Sequence, residues 1–591
     1  MDAPTVIAMT VVKCLCGQKA LLSDRDRDVC AGVLKLGATS RHLWEELEPL
    51  RALCVANKAL LQAATDLHVD GVEAALAAGA DPSGRWWTGT KPPMSPLMAS
   101  CLSLPGADDG TEDEEEWVEE EIADTAVAII ERLLDAKADP NYAGATMLTP
   151  LNAAASHRNV DAVEMLLTAG ADVSPKATMP PLQRACKGGD VHGAHYDRLP
   201  HLVSLLLARG ADVRAVDCAG QTALHDAVCG DADPADMAEV VALLLEAGAD
   251  ANVADRRGRT PLHILMDAAP LLDPLVVLVE DGGADVHATT QLEGFTPLHV
   301  GAQRLYLDDQ VFGYLISHAG ADPNALDAVG RTPLHWAVVS HRWAPSTCKA
   351  IVESLVAHGA DPNARERGPN ADDTYGGATP LHLAASQSFD SVLAETLLGV
   401  GADPCARALE FDWTPLHCAV ANEETSINAT LQFVSRMLQS GANPGAADCM
   451  GRTPLHLMAS YTRTQELDQV RMVDMLLAWG APVDARDAQG RTPLHIAALC
   501  LAPKLVGALL AYGASAHARD RSGWGAAAVV SEALLRIDTR PLDGMPASAM
   551  ARLESMGMDP VVLQQLEARD DGTLYERLVQ TVHAITSLKK M

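Results

Sequence analysis

The sequence has few aromatic residues, little positive charge and no long apolar run. Aromatic residues make up 4% of the 591 residues and hydrophobic residues 48%, a composition that favours small, closely packed helices over an aromatic-rich sheet core. The 78 acidic and 45 basic residues give a formal net charge of −33, which repels nucleic-acid phosphates and anionic lipid headgroups. No segment approaches the roughly 18 apolar residues of a membrane span. We therefore expect neither nucleic acid nor a membrane as a partner.

The cysteines lack the spacing of a disulfide framework or of a zinc site. Thirteen are scattered along the chain, which fits reduced thiols in the cytoplasm and also in the nucleus. The N-terminus lacks the basic segment and cleavage site of a secretory signal. Cys14, Cys16, Cys30, His42 and Cys54 contain no C-x2-C pair, so they give little support to a zinc site, and we expect no metal.

A short phrase, T-P-L-H or T-A-L-H, recurs eight times between residues 222 and 495. Degenerate copies extend the series in both directions. A chain of this length exceeds the roughly 250–300 residues of a single hydrophobic core, so stacked repeats are the predicted arrangement. We count thirteen units, which start near residues 58, 95, 149, 179, 222, 260, 296, 332, 379, 414, 453, 492 and 525.

Each unit has a signal that starts one helix and a signal that ends another. Thr caps the free N–H groups of a helix start, and Pro at the next position already has the required φ. A second phrase, G-A-D, places a glycine where the second helix ends in a left-handed conformation. Segments such as 237–248 put apolar residues on one broad helical face, which needs a neighbouring unit to cover it.

The phrase T-P-L-H, followed by G-A-D-x-N-x-x-D-x-x-G-R-T-P-L-H, resembles the ankyrin repeat over about residues 57–537. The resemblance implies an all-α fold, an ankyrin-repeat solenoid of stacked helix pairs with short hairpin-like fingers. It also implies that the fingers and first helices line a concave groove that binds partners. We predict an N-terminal helical cap over residues 1–56 and a C-terminal helical cap or small effector segment over residues 538–591.

Eight of the 20 histidines occupy the fourth position of the phrase. The resemblance implies that they tie a helix start to neighbouring backbone, whereas a catalytic histidine would be singular. No GK[ST] phosphate loop, HExxH helix or GxSxG elbow is present, so we expect no catalytic residue and no cofactor. The eight are His225, His263, His299, His335, His382, His417, His456 and His495.

Insertions are predicted from the spacing between the start and stop signals. The distance from the Thr of a unit to its terminal Gly ranges from 21 residues after Thr492 to 27 after Thr414, whereas that Gly is 12 residues from the next Thr at most junctions. We predict that the extra residues lie mostly in the turn between the two helices, which faces solvent. Two further insertions, 84–94 and 364–377, enter the fingers, as neutral variation or as partner contacts.

An acidic insertion at 107–121 is predicted to be a solvated loop that leads into the next helix. The alternative is a docking strip for a partner with a basic surface.

The sequence predicts a non-catalytic protein–protein interaction scaffold that binds other proteins along the groove and the finger tips. The alternative is a substrate-recognition adaptor of a ubiquitin ligase complex, in which a terminal region docks a ligase subunit. An enzyme is a third hypothesis, which no set of residues supports. The oligomeric state is left open. The candidate partner-binding residues are Trp86, Trp87, Arg256, Arg257, Phe295, Tyr375, Phe411, Trp413 and Trp524.

Overall fold

The structure is a computed structural model in which 24 helices form twelve consecutive pairs within the described residues. Within the same residues, the β-structure consists of one isolated antiparallel bridge between Arg519 and Gly525. The predicted caps lie outside the described residues, apart from positions 55, 56 and 580, and the unit near 525 is described only as far as Ala526. The structure describes residues 55–83, 95–102, 116–142, 148–174, 179–188, 198–229, 233–268, 271–304, 309–340, 345–367, 376–387, 391–408, 411–422, 427–460, 466–500, 502–526 and 580.

The chain divides into two compact units, Met1–Gln291 and Leu292–Met591. In the first unit the helices are α1 (55–65), α2 (Val69–Ala77), α3 (Pro96–Leu102), α4 (Glu116–Asp135), α5 (Pro150–Ser156), α6 (Val160–Thr168), α7 (Pro181–Lys187), α8 (Leu199–Ala208), α9 (Ala223–Ala227), α10 (Pro234–Glu246), α11 (Pro261–Ala268) and α12 (Leu272–Glu280).

In the second unit they are α13 (Pro297–Ala302), α14 (Asp309–Ser317), α15 (Pro333–Ser340), α16 (Pro345–Ala357), α17 (Pro380–Gln387), α18 (Ser391–Gly399), α19 (Pro415–Ala421), α20 (Ile427–Gln439), α21 (Pro454–Ser460), α22 (Glu466–Ala478), α23 (Pro493–Leu499) and α24 (Pro503–Ala511). Odd-numbered helices are the first of each pair. Within each unit, from α2 onward, first helices pack on neighbouring first helices and second helices on second helices. This stacking of helix pairs confirms the predicted fold class.

The start and stop signals act as the sequence predicts. Thr296, in extended backbone, precedes α13 with Pro297 at its first position, and its side chain accepts the N–H of His299. At the end of α10, Gly248 has φ +91°, and the N–H of Ala249 donates to the carbonyl of Leu244 at 3.0 Å. A left-handed glycine therefore ends the second helix and turns the chain into the finger.

The hydrophobic core lies between neighbouring pairs. On α10, Met237, Val240, Val241 and Leu244 are buried, which confirms the apolar face predicted for this segment. Burial of each such side chain stabilises the fold by roughly 1.5–3 kcal/mol. No helix in the described part of the chain combines the length and hydrophobicity needed to cross a membrane.

The prediction that extra residues lie mostly in the turn between paired helices is wrong in part. In the units with the longer spacing the second helix has 13 residues, as in α16, α20 and α22, against nine in α24. About one helical turn has been added, because residues in a helix satisfy their backbone hydrogen bonds internally, whereas loop residues need other partners.

The acidic insertion is also only partly a loop. Residues 116–121 belong to α4, and residues 107–115 lie outside the described residues. Glutamate is a good helix former, and negative side chains near a helix N-terminus interact favourably with its dipole. The end of the acidic run is therefore the first part of a helix.

Candidate functional site

Each T-P-L-H phrase closes a hydrogen-bonded ring at the start of its first helix. The N–H of Thr332 donates to Nδ1 of His335 at 3.1 Å, and Oγ1 of Thr332 lies 2.8 Å from the same nitrogen. Because Nδ1 accepts, the ring proton is on Nε2, which donates to the carbonyl of Ala378 at 3.1 Å. Ala378 directly precedes the Thr of the next repeat. The histidine thus joins its own helix start to the following repeat.

The same pair of contacts recurs at seven of the eight phrase histidines, and His263 makes the contact with its own Thr260 at 3.2 Å. The predicted structural role is confirmed. Burial lowers the pKa of the seven, to about 4 for His335 and His382, so the rings are neutral at pH 7. The seven are His225, His299, His335, His382, His417, His456 and His495.

The fingers between repeats are held by a carboxylate and by each other. Oδ1 of Asp255 accepts the N–H groups of Arg257 and Arg259 at 2.8 and 2.9 Å, and Oδ2 pairs with the Arg259 guanidinium at 2.9 Å. The N–H of Gln291, in the next finger, donates to the carbonyl of Arg257 at 3.0 Å. Gly258 has φ +80°, and a Cβ there would lie 2.6 Å from that N–H nitrogen, so a side chain is excluded.

One side chain at each finger tip is free to differ from repeat to repeat. It belongs to the residue that directly precedes the left-handed glycine of the finger. In one finger Asp412, with φ +58°, stands in place of that glycine. These tip residues differ in size and charge, although in six of them the N–H donates to an Asp carboxylate two residues earlier. They are Ala219, Arg257, Glu293, Val329, Phe411, Met450, Gln489 and Ser522.

The described candidate residues lie on the fingers, as the sequence predicts, but they differ in exposure. Arg256 and Arg257 are exposed in the first unit. In the second unit Phe411 is 42% exposed and Trp524 38%, whereas Phe295 and Trp413 are half-buried. Trp86, Trp87 and Tyr375 lie outside the described residues.

Phe411 and Trp413 are brought together on one finger, with ring centroids 5.9 Å apart. The carbonyl of Phe411 accepts the N–H of Cys449 at 2.9 Å, which ties this finger to the next. There Met450 takes the same tip position and is also 42% exposed. Sequence reasoning missed Met450, although its place before Gly451 marks it as the counterpart of Phe411. We call Phe411, Trp413 and Met450 the Phe411 patch.

Phe295 is engaged in packing inside the second unit. Its ring meets Trp336 edge to face at 5.0 Å, and the Arg331 guanidinium lies 5.3 Å from the Trp336 ring centroid. Nε1 of Trp336 donates to Oδ2 of Asp327 at 2.7 Å. Trp336 was missed in the sequence, and its signal is its position on the first helix directly after the phrase T-P-L-H. Phe295 therefore contributes to finger packing as well as to the surface.

One buried carboxylate, that of Asp226, differs from the finger carboxylates because one of its oxygens has no hydrogen-bond partner in the structure. Asp226 follows the phrase histidine of its repeat and is 3% exposed, and the oxygen without a partner is Oδ2. Burial raises its pKa to about 7, with Lys187 opposing the shift and Asp217 adding to it. Across the described residues, no group of three or more His, Cys, Asp or Glu side chains is placed to hold a metal.

Paired helices, left-handed stop glycines and repeat-to-repeat histidine contacts define a helical repeat protein whose variable side chains are on its fingers. The ankyrin repeat models match residues 191–268, 265–366 and 425–520 as arrays, and 147–177 and 376–409 as single repeats. Together these ranges cover more than half of the sequence. The chain belongs to the ankyrin repeat family, whose repeats are protein-interaction modules.

Three known proteins illustrate the similarity. Human neurogenic locus notch homolog protein 4 is 36% identical over 123 residues, 21% of this chain and 5% of that protein. Human B-cell lymphoma 3 protein is 31% identical over 187 residues, 30% of this chain and 38% of that protein. The glycerophosphocholine phosphodiesterase gde1 of Schizosaccharomyces pombe is 30% identical over 165 residues, 27% of this chain and 12% of that protein.

Among solved structures, the ankyrin repeat domain of Bcl-3, described as a unique member of the IkappaB protein family, matches 40% of this chain and 94% of that domain. The sequence identity is 27% and the TM-score 0.33. The matched region spans less than two-fifths of the length of each of the three relatives, so their activities and partners belong to those proteins.

Proposed function

We propose that the chain is a non-catalytic scaffold that binds partner proteins along its fingers and first helices. The observation that carries this proposal is the fixed finger backbone with a variable tip residue. Affinity in protein interfaces comes mainly from a few aromatic and arginine anchors that need not reorganise on binding. The finger surface is positively charged at Arg256 and Arg257 in the first unit and apolar at the Phe411 patch in the second.

The Phe411 patch is the strongest candidate anchor in the second unit. Phe411 and Met450 are exposed large apolar side chains on adjacent fingers, joined by the hydrogen bond from Cys449 to Phe411. Exposed apolar side chains that cluster on a soluble surface mark interaction sites. A partner that covers this patch would bury an aromatic ring and a methionine, two residue types enriched at interface centres.

The net charge favours partners that present basic surfaces, since complementary charge accelerates encounter and suppresses like-charged competitors. We place this activity in the cytoplasm and also in the nucleus, on the evidence of the thirteen cysteines without regular pairing distances. We expect the same charge to disfavour nucleic acid and anionic membranes as direct partners.

The test is quantitative affinity capture with mass-spectrometric comparison of variants. We expect the double variant Phe411→Glu, Met450→Glu to lose at least one partner that wild-type protein retains, because charge on the patch opposes apolar burial. The matched control is Trp479→Glu, Tyr512→Glu, which changes two exposed aromatic residues at the ends of second helices. If both doubles retain every partner, or lose the same ones, the finger surface is not the binding site.

A further inference from the structure

A groove runs along the second helices of two neighbouring repeats in the second unit. α20 packs less extensively on α22 than on α18, and the space between α20 and α22 amounts to about 890 Å³. The side chains on the α20 wall recur every three or four residues, so they form one stripe along the helix. They are Asn428, Leu431, Gln432, Ser435, Arg436 and Gln439, and Arg471 and Met475 form the opposite wall.

The length of this groove follows from the lengthened second helices. Both α20 and α22 have 13 residues, which correspond to about 20 Å at 1.5 Å per residue. Leu431 is buried and Met475 is half-buried, so the two side chains supply an apolar floor. Segments of partner proteins commonly seat one apolar side chain in such a floor and pair their polar groups at its rim.

The charged side chains that line the groove are all basic, although the whole chain is acidic. The eight lining residues include two arginines and no acidic residue, in a protein of formal net charge −33. Arg436 pairs with Glu395 at 3.4 Å, and Arg471 lies 3.9 Å from Asp468 and 3.1 Å from Oδ1 of Asn428. Exposed pairs of this kind contribute little, so both guanidinium groups can exchange these contacts for a ligand carboxylate.

We propose that the groove between α20 and α22 binds an acidic segment of a partner protein. Carboxylates of the segment pair with Arg436 and Arg471, and one apolar side chain sits between Leu431 and Met475. Charge complementarity selects this occupant, because its carboxylates can replace the exposed contacts of Arg436 with Glu395 and of Arg471 with Asp468. A basic segment would be repelled by both guanidinium groups, and a neutral one would gain no ion pair. This surface is on second helices, so it is separate from the fingers and goes beyond the proposed function.

The probe is a fluorescein-labelled peptide with the sequence of residues 107–121, which combines ten carboxylates with Trp117. Fluorescence anisotropy with the full-length protein measures binding, and we expect a Kd of about 10–100 μM that rises with salt. The same peptide with every Asp changed to Asn and every Glu to Gln should not bind. Absence of binding by the acidic peptide up to about 1 mM protein would overturn the proposal.

Paired charge reversals locate the site. Arg436→Glu, Arg471→Glu should weaken binding by about tenfold or more, because each ion pair becomes a repulsion. The matched control Arg198→Glu, Arg209→Glu makes the same change in net charge at two exposed residues that flank α8, and it should alter Kd by less than about twofold. Equal losses in the two variants would show that only net charge acts, which contradicts the proposal.

Gln432→Glu, Gln439→Glu is the second groove variant, in case the arginine reversals unfold a repeat. Both glutamines are exposed on α20, so new carboxylates there add repulsion without removing a contact of the core. Circular dichroism confirms the fold of each variant. Retention of wild-type affinity in this folded variant would place the peptide elsewhere.

Discussion

The repeats with a phrase histidine differ from the two that start near residues 149 and 179, which carry Asn152 and Gln183 in its place. Both classes reach the next repeat: Nδ2 of Asn152 donates to the carbonyl of Met179 at 2.8 Å, and Nε2 of Gln183 to that of Gln221 at 2.5 Å. Only histidine also accepts the N–H of its own Thr. Oδ1 of Asn152 and Oε1 of Gln183 are buried without a partner.

This difference shows that the two contacts of the histidine have separate requirements. Any amide or imidazole N–H of suitable reach makes the contact between repeats. The contact within the repeat needs an acceptor at the Nδ1 position and a donor in the first residue of the phrase. Pro180, which stands at the Thr position of its repeat, has neither an N–H nor a hydroxyl.

Acidic pH should produce the largest difference in stability between the repeats with a phrase histidine and the two repeats without one. The pKa of each of the seven histidines is lower in the folded state than the unfolded value of about 6.5. The unfolded state therefore binds more protons below pH ~6.5, and the unfolding free energy falls as pH falls from ~6.5 towards ~4. A folded-state pKa that lies one pH unit below the unfolded value corresponds to about 1.4 kcal/mol, so several histidines together can unfold the repeats that contain them.

Hydrogen exchange followed by mass spectrometry at pH 7 and pH 5, corrected for intrinsic rates, measures this effect repeat by repeat. Peptides from α15 and α17 should lose protection at pH 5, while peptides from α5 and α7 keep more of theirs. Uniform loss across all repeats would contradict the assignment of the effect to the phrase histidines.

A substitution at one histidine should reproduce part of the difference. His335→Ala leaves the N–H of Thr332 and the carbonyl of Ala378 without their partner and creates a cavity, so we expect a loss of about 3–5 kcal/mol. His335→Asn retains a donor towards Ala378, as Asn152 does towards Met179, and should cost about half as much. Urea unfolding followed by circular dichroism gives both values. Equal losses would mean that the contact between repeats contributes nothing.

Asp226→Asn tests a group whose pH dependence has the opposite sign. The folded pKa of Asp226 is raised to about 7 from its usual 3.8, mainly by burial, so its contribution to stability is lost as pH rises through 7. We expect the variant to be up to about 4 kcal/mol more stable than wild type at pH 8 and unchanged at pH 4. Urea denaturation at the two pH values measures this, and a gain that is equal at both would exclude titration as the cause.

The smallest expected effect is a gain from Asn152→His. The imidazole would offer Nδ1 to the N–H of Thr149 and would remove the buried, unpartnered Oδ1, for a gain of about 1 kcal/mol. Gln183→His serves as the control, since Pro180 offers no donor to Nδ1. Thermal denaturation of both variants should show a rise for the first alone, and a similar rise for the second would show that the local contact is unimportant.

The fold was predictable because each repeat contains residues that mark the start of its first helix and the end of its second. Thr and Pro mark the first helix and Gly the end of the second, so the twelve described helix pairs fall where the phrases place them. The division of the extra residues between turn and helix was not predicted, although Pro345 at the first position of α16 gave a signal for the helix start. Boundaries inside an insertion depend on local capping, which the repeat spacing does not report.

The site was predictable only in part. The repeat phrase indicates which residues lie at the finger tips, but which of them contact each other depends on the fold. Phe411 and Trp413 are two residues apart and could be grouped from the sequence. Phe295 and Trp336 are distant in sequence and meet only when one finger lies against the next first helix. Met450 required recognition that equivalent tip positions on neighbouring repeats become neighbours in space.

The lengthened second helices have a consequence for how such a chain can change in length. Each residue of an α-helix rotates the side-chain direction by about 100°, so four residues restore the buried stripe almost to its original orientation. The difference between the 13 residues of α22 and the nine of α24 is such a step. Two residues would rotate the stripe by about 200° and expose it to water. Deletions and insertions in these helices should therefore be accepted in whole turns and rejected in halves.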